Sequence, residues 1–378
     1  MSADETRLPS WSEAVAPSVE ELRGCDVLHC SVASIGNHPA VVVRWDFGRQ
    51  GGTFGVAEAD VFAAAVETAI DRHLPLVTIT RSGGTRLPEG MRALVGIPRA
   101  ALALVELRAA ALPHITVADN PTTGGVWVAI GAAADVRIAI DGAVLGFSGP
   151  RVVTAMTDRP LPEGGNTAAS AYAAGLVDMV ATHEEVGGLL ERVLAALAPD
   201  HPQAVEAASA GTPEARDAAV QVAASRESDR PTGDQLLTTL LTSSVPLRGA
   251  DEVTTAAIGR IAGRCVVGVA LAGPRNAMPG PGGYALLSRA AKLAGAMDAA
   301  LVVLIDTPGA DPHREAAGLV PAMGQALLDV LQTRAPTVAL VHGEGGSGGA
   351  LAGAVTDLVG VGEFGWFAAL GPEGAAAA

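Results

Sequence analysis

Twice in this chain an apolar run passes into a glycine-rich turn that opens a second apolar stretch of helical composition. Gly124-Gly125 precedes residues 126–133, and Gly348-Gly349 precedes residues 350–355. The first amides of a helix have no partner inside it and sit at the positive end of its dipole. Glycine lets a ligand reach that backbone because no Cβ stands in the way. Such a turn suits an oxygen that gains negative charge during a reaction, and losing one comparable donor elsewhere costs about 10²–10³ in rate. A single Gly-Gly pair more often serves only a tight turn or close packing. Recurrence at matching places favours a pair of oxyanion sites. A phosphate loop fits poorly, because residues 343–349 lack the Lys-Ser/Thr ending and the one lysine, Lys292, is remote.

Other constellations are weaker. His114, His183, His313 and His342 show no metal-ligand spacing. Ser82 stands in Arg-Ser-Gly-Gly rather than in a Gly-x-Ser-x-Gly elbow, which argues against a hydrolase nucleophile. Cys25, Cys30 and Cys265 make neither a disulfide framework nor a four-ligand zinc site, so no metal is expected. Asp306 and Glu344 are plausible polar site residues, or equally turn-bonding ones.

The turns need elements to hold them, and those elements repeat. Leu74-Pro-Leu-Val-Thr-Ile-Thr80 leads to Arg81-Ser-Gly-Gly84, a helical stretch, Pro113-His-Ile-Thr-Val-Ala-Asp119, the first turn, and Ala143-Val-Leu-Gly-Phe-Ser-Gly-Pro150. Ala300-Leu-Val-Val-Leu-Ile305 leads to Asp306-Thr-Pro-Gly309, a helical stretch, Pro336-Thr-Val-Ala-Leu-Val-His342, the second turn, and Trp366-Phe-Ala-Ala-Leu-Gly-Pro372. Pro113 to Pro150 is 37 residues and Pro336 to Pro372 is 36; Gly84 to Pro113 is 29 and Gly309 to Pro336 is 27. That shared rhythm indicates a duplicated module. Short buried strands alternating with helices predict an α/β fold with mainly parallel pairing. Between the modules the composition turns polar, which predicts residues 1–195 as one domain, 196–250 as a connector with short helices, and 251–378 as the second domain.

Composition excludes several classes. The 378 residues are 49% hydrophobic with a formal net charge of −15, which argues against disorder and against a general nucleic-acid binder. Mean hydropathy is +0.34, yet no stretch reaches the roughly 18 uncharged apolar residues of a membrane span. A soluble cytoplasmic protein is expected.

At the turns the sequence resembles a known family. Asp46-Phe-Gly-Arg-Gln-Gly-Gly-Thr-Phe-Gly55, Arg81-Ser-Gly-Gly-Thr-Arg86, Asn120-Pro-Thr-Thr-Gly-Gly-Val126, Leu145-Gly-Phe-Ser-Gly-Pro-Arg-Val152, Leu161-Pro-Glu-Gly164 and Ala174-Gly-Leu-Val-Asp-Met-Val180 follow, in order, the β subunit of bacterial acetyl-CoA carboxylase carboxyltransferase. Met278-Pro-Gly-Pro-Gly-Gly-Tyr284, Ile305-Asp-Thr-Pro-Gly-Ala310, Gly343-Glu-Gly-Gly-Ser-Gly-Gly-Ala-Leu-Ala352 and Pro372-Glu-Gly374 resemble its α subunit. The likeness covers residues 40–190 and 250–374. It implies duplicated ClpP/crotonase-like ββα superhelix modules. It further implies transfer of a carboxyl group from N-carboxybiotin to the α-carbon of a small acyl-CoA, with the α-proton passing to biotin rather than to a side chain. By the same resemblance Gly124 and Gly125 would hold the thioester oxygen, with Ser82, Gly83, Gly84, Arg86 and Val126 lining the CoA cleft. Gly348 and Gly349 would hold the ureido oxygen of biotin, with Pro308, Gly309, Gly345, Gly346 and Ala350 around it.

Lys292 sits in Ala-Ala-Lys-Leu, not between the methionines normal for a biotin acceptor, and no ATP loop is present. Biotin is therefore expected on a separate carrier protein loaded by a biotin carboxylase, and a homodimer or higher homo-oligomer is expected by resemblance. Four departures stand out. An acidic segment, residues 1–22, replaces the β subunit's four-cysteine zinc ribbon. Trp127 follows the first turn where the family has a small residue. Gly318-Leu-Val-Pro321 replaces a Gly-Gln-Ser-Glu stretch. The second module is expected to be C-terminally short, because only residues 375–378 follow its closing segment. Alternatives are a decarboxylase of the same superfamily, running the two sites in reverse, and an inactive acyl-CoA-binding scaffold.

Overall fold

The computed structural model describes residues 10–204, 216–274 and 276–378. Residues 1–9 of the expected acidic segment and 205–215 of the expected connector lie outside them. The chain divides into two compact units, residues 1–195 and 196–378.

In the first unit α1 (Ser10–Val15) and β1 (Ser18–Glu21) lead to β2 (Leu28–Ile35), β3 (His38–Trp45), α2 (Val56–Arg72), β4 (Leu76–Ser82), α3 (Met91–Ala109) and β5 (His114–Thr123). A short helix follows, α4 (Gly124–Val126), which runs on as a π-helical turn, Trp127–Gly131. Then come β6 (Val136–Ile140), β7 (Leu145–Gly146), α5 (Pro150–Thr157), α6 (Ala168–Ala173), β8 (Met179–Ala181) and α7 (Val186–Ala196). The sheet order is β1-β2-β3-β4-β5-β6-β8, with β7 also on β5. Pairing is antiparallel for β1·β2 and β2·β3 and parallel from β3 onward.

The second unit repeats this plan. After α8 (Ala218–Ser225) and α9 (Gly233–Leu240) come β9 (Thr242–Leu247), β10 (Thr255–Ile261), β11 (Arg264–Ala270), α10 (Pro281–Ala296), β12 (Ala300–Thr307), α11 (Leu319–Gln332), β13 (Thr337–Gly346), α12 (Ser347–Ala354), β14 (Leu358–Val361), β15 (Trp366–Ala368) and α13 (Pro372–Ala377). The order β14-β13-β12-β11-β10-β9, with β15 also on β13, matches the first sheet strand for strand, except that β8 has no counterpart among the described residues.

The repeat thus begins three strands earlier than the apolar runs at residues 74 and 300 indicate. Its hairpins have local signals. Gly36-Asn37 joins β2 to β3 and Ala262-Gly263 joins β10 to β11, with φ of +57° at Gly36, +49° at Ala262 and +77° at Gly263. Two-residue loops with left-handed residues match the twist of antiparallel strands.

The expected connector is also more than a surface link. Leu237, Leu241, Val245 and Leu247 are all buried, and β9 pairs with β10. Leu237 and Leu241 lie on one face of α9 and its end, so they pack into the same apolar cluster as Val266, Ala270 and Leu304.

Cores of both units rest on small and branched residues. In the first, Trp45, Phe54 and Phe62 meet at centroid separations of 6.2–6.4 Å over the alanines of α2. Fully burying side chains of this size contributes roughly 1.5–3 kcal/mol each. α2 starts where the Glu58 carboxylate accepts the Gly55 N–H at 2.9 Å, and it ends at His73 in the left-handed conformation.

Candidate active site

The first turn is assembled by two neighbouring strands. β4 and β5 pair at Thr80↔Ala118 and again at Ser82↔Thr122, so β5 carries two extra residues between those pairs. This bulge lets the end of β5 swing over the end of β4. The buried Ser82 hydroxyl accepts the Gly84 N–H at 3.0 Å, and Thr123 Oγ1 donates to the Ser82 carbonyl at 3.2 Å. Gly124 lies at φ +67°, and a Cβ there would stand 2.9 Å from Gly84 Cα. Only glycine meets both conditions. α4 then begins with no side-chain cap from Thr123.

The second turn is built by the same rule. β12 and β13 pair at Ile305↔Val341 and at Thr307↔Gly345, again with two extra residues on the second strand. Thr307 Oγ1 accepts the Gly309 N–H at 3.2 Å, as Ser82 does for Gly84. Gly346 and Gly349 press on Pro308, Gly309 and Ala310 so closely that any Cβ would collide with backbone. α12 also starts without a side-chain cap. The buried Tyr284 hydroxyl donates to the Gly349 carbonyl at 3.1 Å, which ties that helix to α10.

Register corrects one detail of the sequence reading. β7 ends its pairing at Thr123↔Gly146 and β15 at Gly346↔Ala368, so Thr123 corresponds to Gly346. Gly124 therefore corresponds to Ser347, Gly125 to Gly348, and Val126 to Gly349. The first helical residue is left-handed in both turns, Gly124 at +67° and Ser347 at +56°. Matching the two Gly-Gly pairs by eye is off by one because a serine occupies that position in the second module.

The residues singled out from sequence divide into two groups. Ser82, Gly83, Gly84, Gly124 and Gly125 gather at the first turn, and Pro308, Gly309, Gly346, Gly348 and Gly349 at the second. A Cβ at Gly348 would meet nothing within 4 Å, so its backbone borders open space. The others are held in packing. Val126 and Ala350 are fully buried. Gly345 packs against Trp366 and Phe367 of β15. The Arg86 guanidinium is engaged by Glu58 at 2.8 Å, Glu89 at 3.1 Å, the Thr53 carbonyl at 2.6 Å and the Thr53 hydroxyl at 3.2 Å. It fastens residues 53–55 and the start of α2 to the turn.

Sequence reasoning missed an ion network behind the second turn. Arg230 pairs with buried Asp306 at 2.8 Å and donates to the His342 carbonyl at 2.5 Å. Arg226 bridges buried Glu344 at 2.8 Å and exposed Glu373 at 2.6 Å. Asp306 Oδ1 accepts the Glu344 N–H at 2.8 Å, which joins the two pairs. Burial raises the Glu344 carboxyl above its ordinary range, while Arg226 pulls it back. Burial holds the His342 imidazole below the usual histidine range; Asp306 opposes this and Arg230 adds to it. The readable signal was two arginines four residues apart, Arg226 and Arg230, at the end of an apolar helix in a polar segment.

Comparison with known proteins now bears on the whole. A family model described as acetyl co-enzyme A carboxylase carboxyltransferase-like matches residues 214–378. The chain is 34% identical over 376 residues to the acetyl-coenzyme A carboxylase carboxyl transferase subunits beta/alpha of Salinispora arenicola, covering 92% of this chain and 66% of that protein. It thus spans about two thirds of the length of such relatives. It is 35% identical over 350 residues to the probable biotin-dependent acyl-coenzyme A carboxylase beta3 subunit of Mycobacterium bovis, covering 89% of this chain and 70% of that one. Among solved structures, the transcarboxylase 12S hexamer with methylmalonyl-coenzyme A bound superposes with a TM-score of 0.81 at 19% identity, over 98% of this chain and 78% of that one. That likeness establishes the crotonase-like carboxyltransferase fold. With the ordered motifs, the duplicated turns and these identities together, the chain belongs to the family of biotin-dependent acyl-CoA carboxylase carboxyltransferases.

Proposed function

We propose that this chain transfers a carboxyl group between carboxybiotin and the α-carbon of a small acyl-CoA, acetyl-CoA being the simplest case. The observation that carries the reading is the recurrence of one device: a bulged strand, a left-handed first helical residue, and uncapped amides behind it. The turn at Gly124 and Gly125 would hold the thioester oxygen, which becomes an enolate oxygen when the α-proton leaves. Donors fixed before the reaction stabilise that charge without reorganising, which is the largest single term in many enzymes. The turn at Gly348 and Gly349 would hold the ureido oxygen of biotin, and the open space at Gly348 fits a ligand brought against the backbone. Bound biotin supplies the carboxyl group and a site for the substrate's α-proton. The chain then needs to bind, orient and exclude water, which its backbone can do without a catalytic side chain.

Lys292 supports a separate biotin carrier. It lies mid-helix in α10, exposed but with its ammonium 2.9 Å from Asp329, and no methionine flanks it in sequence. We infer a carrier and a biotin carboxylase as partners, and a homo-oligomer working in the cytoplasm. Among the described residues no helix is long and apolar enough to cross a membrane.

Incubation with malonyl-CoA and biocytin tests the reading. Acetyl-CoA and carboxybiocytin should form, and the Gly124→Val/Gly349→Val double variant should form neither. Turnover no higher than that of the double variant rejects it.

A further inference from the structure

The two turns differ in how their third helical residue is anchored. In the first unit it is Val126, buried in one apolar cluster with Ala59, the fourth residue of α2. In the second it is Gly349, because a Cβ there would collide with the backbone of Gly309 and Ala310. That glycine permits the close approach but leaves the turn no side chain to pack. The rest of α12 does not make up the loss. Its buried residues are all glycine or alanine, and Leu351, its one large side chain, is 42% exposed. Small residues make few dispersion contacts, so they hold a helix end weakly.

α2 and α10 both start after a glycine, Gly55 and Gly280, so the fourth residue of α10, Tyr284, stands at the place of Ala59. Tyr284 is fully buried, and its hydroxyl donates to the Gly349 carbonyl at 3.1 Å. The start of α10 is itself fixed, since Asp251 accepts the Gly280 and Gly283 N–H groups at 2.8 and 3.0 Å. Burial and the Asp251 charge push the phenol above its ordinary range, which keeps it a donor around neutral pH. A tyrosine–glycine pair thus replaces the alanine–valine pair of the first unit. We propose that Tyr284 is a positioning residue for the second turn, fixing through the Gly349 carbonyl the aim of the amides at Gly348 and Gly349. Such donors act by being preorganised, and a displacement near 1 Å can cost about 10²-fold in rate. The anchoring is independent of the carboxyltransferase reading; its effect on turnover rests on that reading.

A buried phenol needs a partner wherever it lies, so the test separates aim from stability. Tyr284→Phe keeps the ring and removes only the bond. Hydrogen exchange read by mass spectrometry should quicken about tenfold at residues 347–354 and stay unchanged at 120–131. With malonyl-CoA and biocytin, kcat should fall about tenfold, while the KM for malonyl-CoA and the acetyl-CoA dissociation constant hold. Leu287→Val, a fully buried apolar position on the same helix, should lower the melting temperature at least as much and leave kcat unchanged. Unaltered exchange at 347–354, a raised KM for malonyl-CoA, or an equal kcat loss in Leu287→Val overturns the proposal. A parent chain without turnover rejects the carboxyltransferase reading instead, and the exchange measurement then decides the role of Tyr284 by itself.

Discussion

The turns of the two modules share a backbone and differ in what holds it. Ser82 and Thr307 occupy one position and make one bond each to the amide two residues on. The residues immediately before them diverge. Asp306 is buried and clasped by Arg230, whereas Arg81, its counterpart, directs Nε to the Asn120 carbonyl at 2.7 Å and lies over the Phe47 ring at 5.5 Å. Hydroxyls dominate around the first turn, where Thr80, Thr116 and Thr122 bridge β4 and β5. Around the second, four charged side chains do the same work. The difference teaches that strand register preserves the turn, while its support can be rebuilt in another chemistry. A buried ion network is the more brittle support, since each charge depends on its partner.

Several substitutions would break or sharpen this comparison. The largest effect belongs to the turns themselves. Gly124→Val and Gly349→Val should each cost about 10²–10³ in exchange rate. Calorimetry should show acyl-CoA binding lost only in Gly124→Val; equal loss in both would mean the turns are not separate sites. Next in size is the support. Arg230→Met leaves Asp306 buried and unpaired, which should destabilise the second unit by about 3–5 kcal/mol. At the equivalent place Arg81→Met, near the surface, should cost under about 1 kcal/mol. Scanning calorimetry would read both, and similar losses would erase the contrast.

An effect smaller than that of Arg230→Met concerns acid. Burial pushes His114 down to about 3, and its Nε2 lies 2.9 Å from the Thr78 hydroxyl. The unfolded ring titrates near 6.5, so from that pH down to about 3 the unfolded chain takes a proton that the folded one refuses. Stability therefore falls as pH drops through this window, by about 2 kcal/mol at pH 5. Urea unfolding at pH 7 and pH 5 should show that His114→Gln is less acid-sensitive than the parent chain. His342 acts in the same direction in the second unit, so a residual slope in His114→Gln would be assigned by adding His342→Gln.

Much of the fold could be read because it is written in short-range terms. Runs such as Leu301 to Ile305 are continuously apolar, glycines mark where strands turn into helices, and the spacing between prolines repeats. The hairpins at Gly36-Asn37 and Ala262-Gly263 are equally readable, because each two-residue turn leads into an apolar run, Ala40-Val-Val-Val43 or Val266-Val-Gly-Val-Ala270. The candidate site was legible only as far as its backbone. Arg86, which the resemblance puts at the CoA cleft, has its guanidinium engaged by Glu58, Glu89 and Thr53, partners that sequence spacing does not announce.

By itself the sequence determined that one α/β module occurs twice and that each copy carries a glycine-rich turn where a strand passes into a helix. Local propensity and periodicity suffice for that, since both act within a few residues. Only tertiary structure decided that Ser347 rather than Gly348 answers to Gly124, that Arg226 and Arg230 clamp the second turn from over a hundred residues away in the chain, and that Leu237 and Leu241 of the expected connector enter the second core. These depend on register and on which groups burial forces together, and neither is encoded in the spacing of nearby residues.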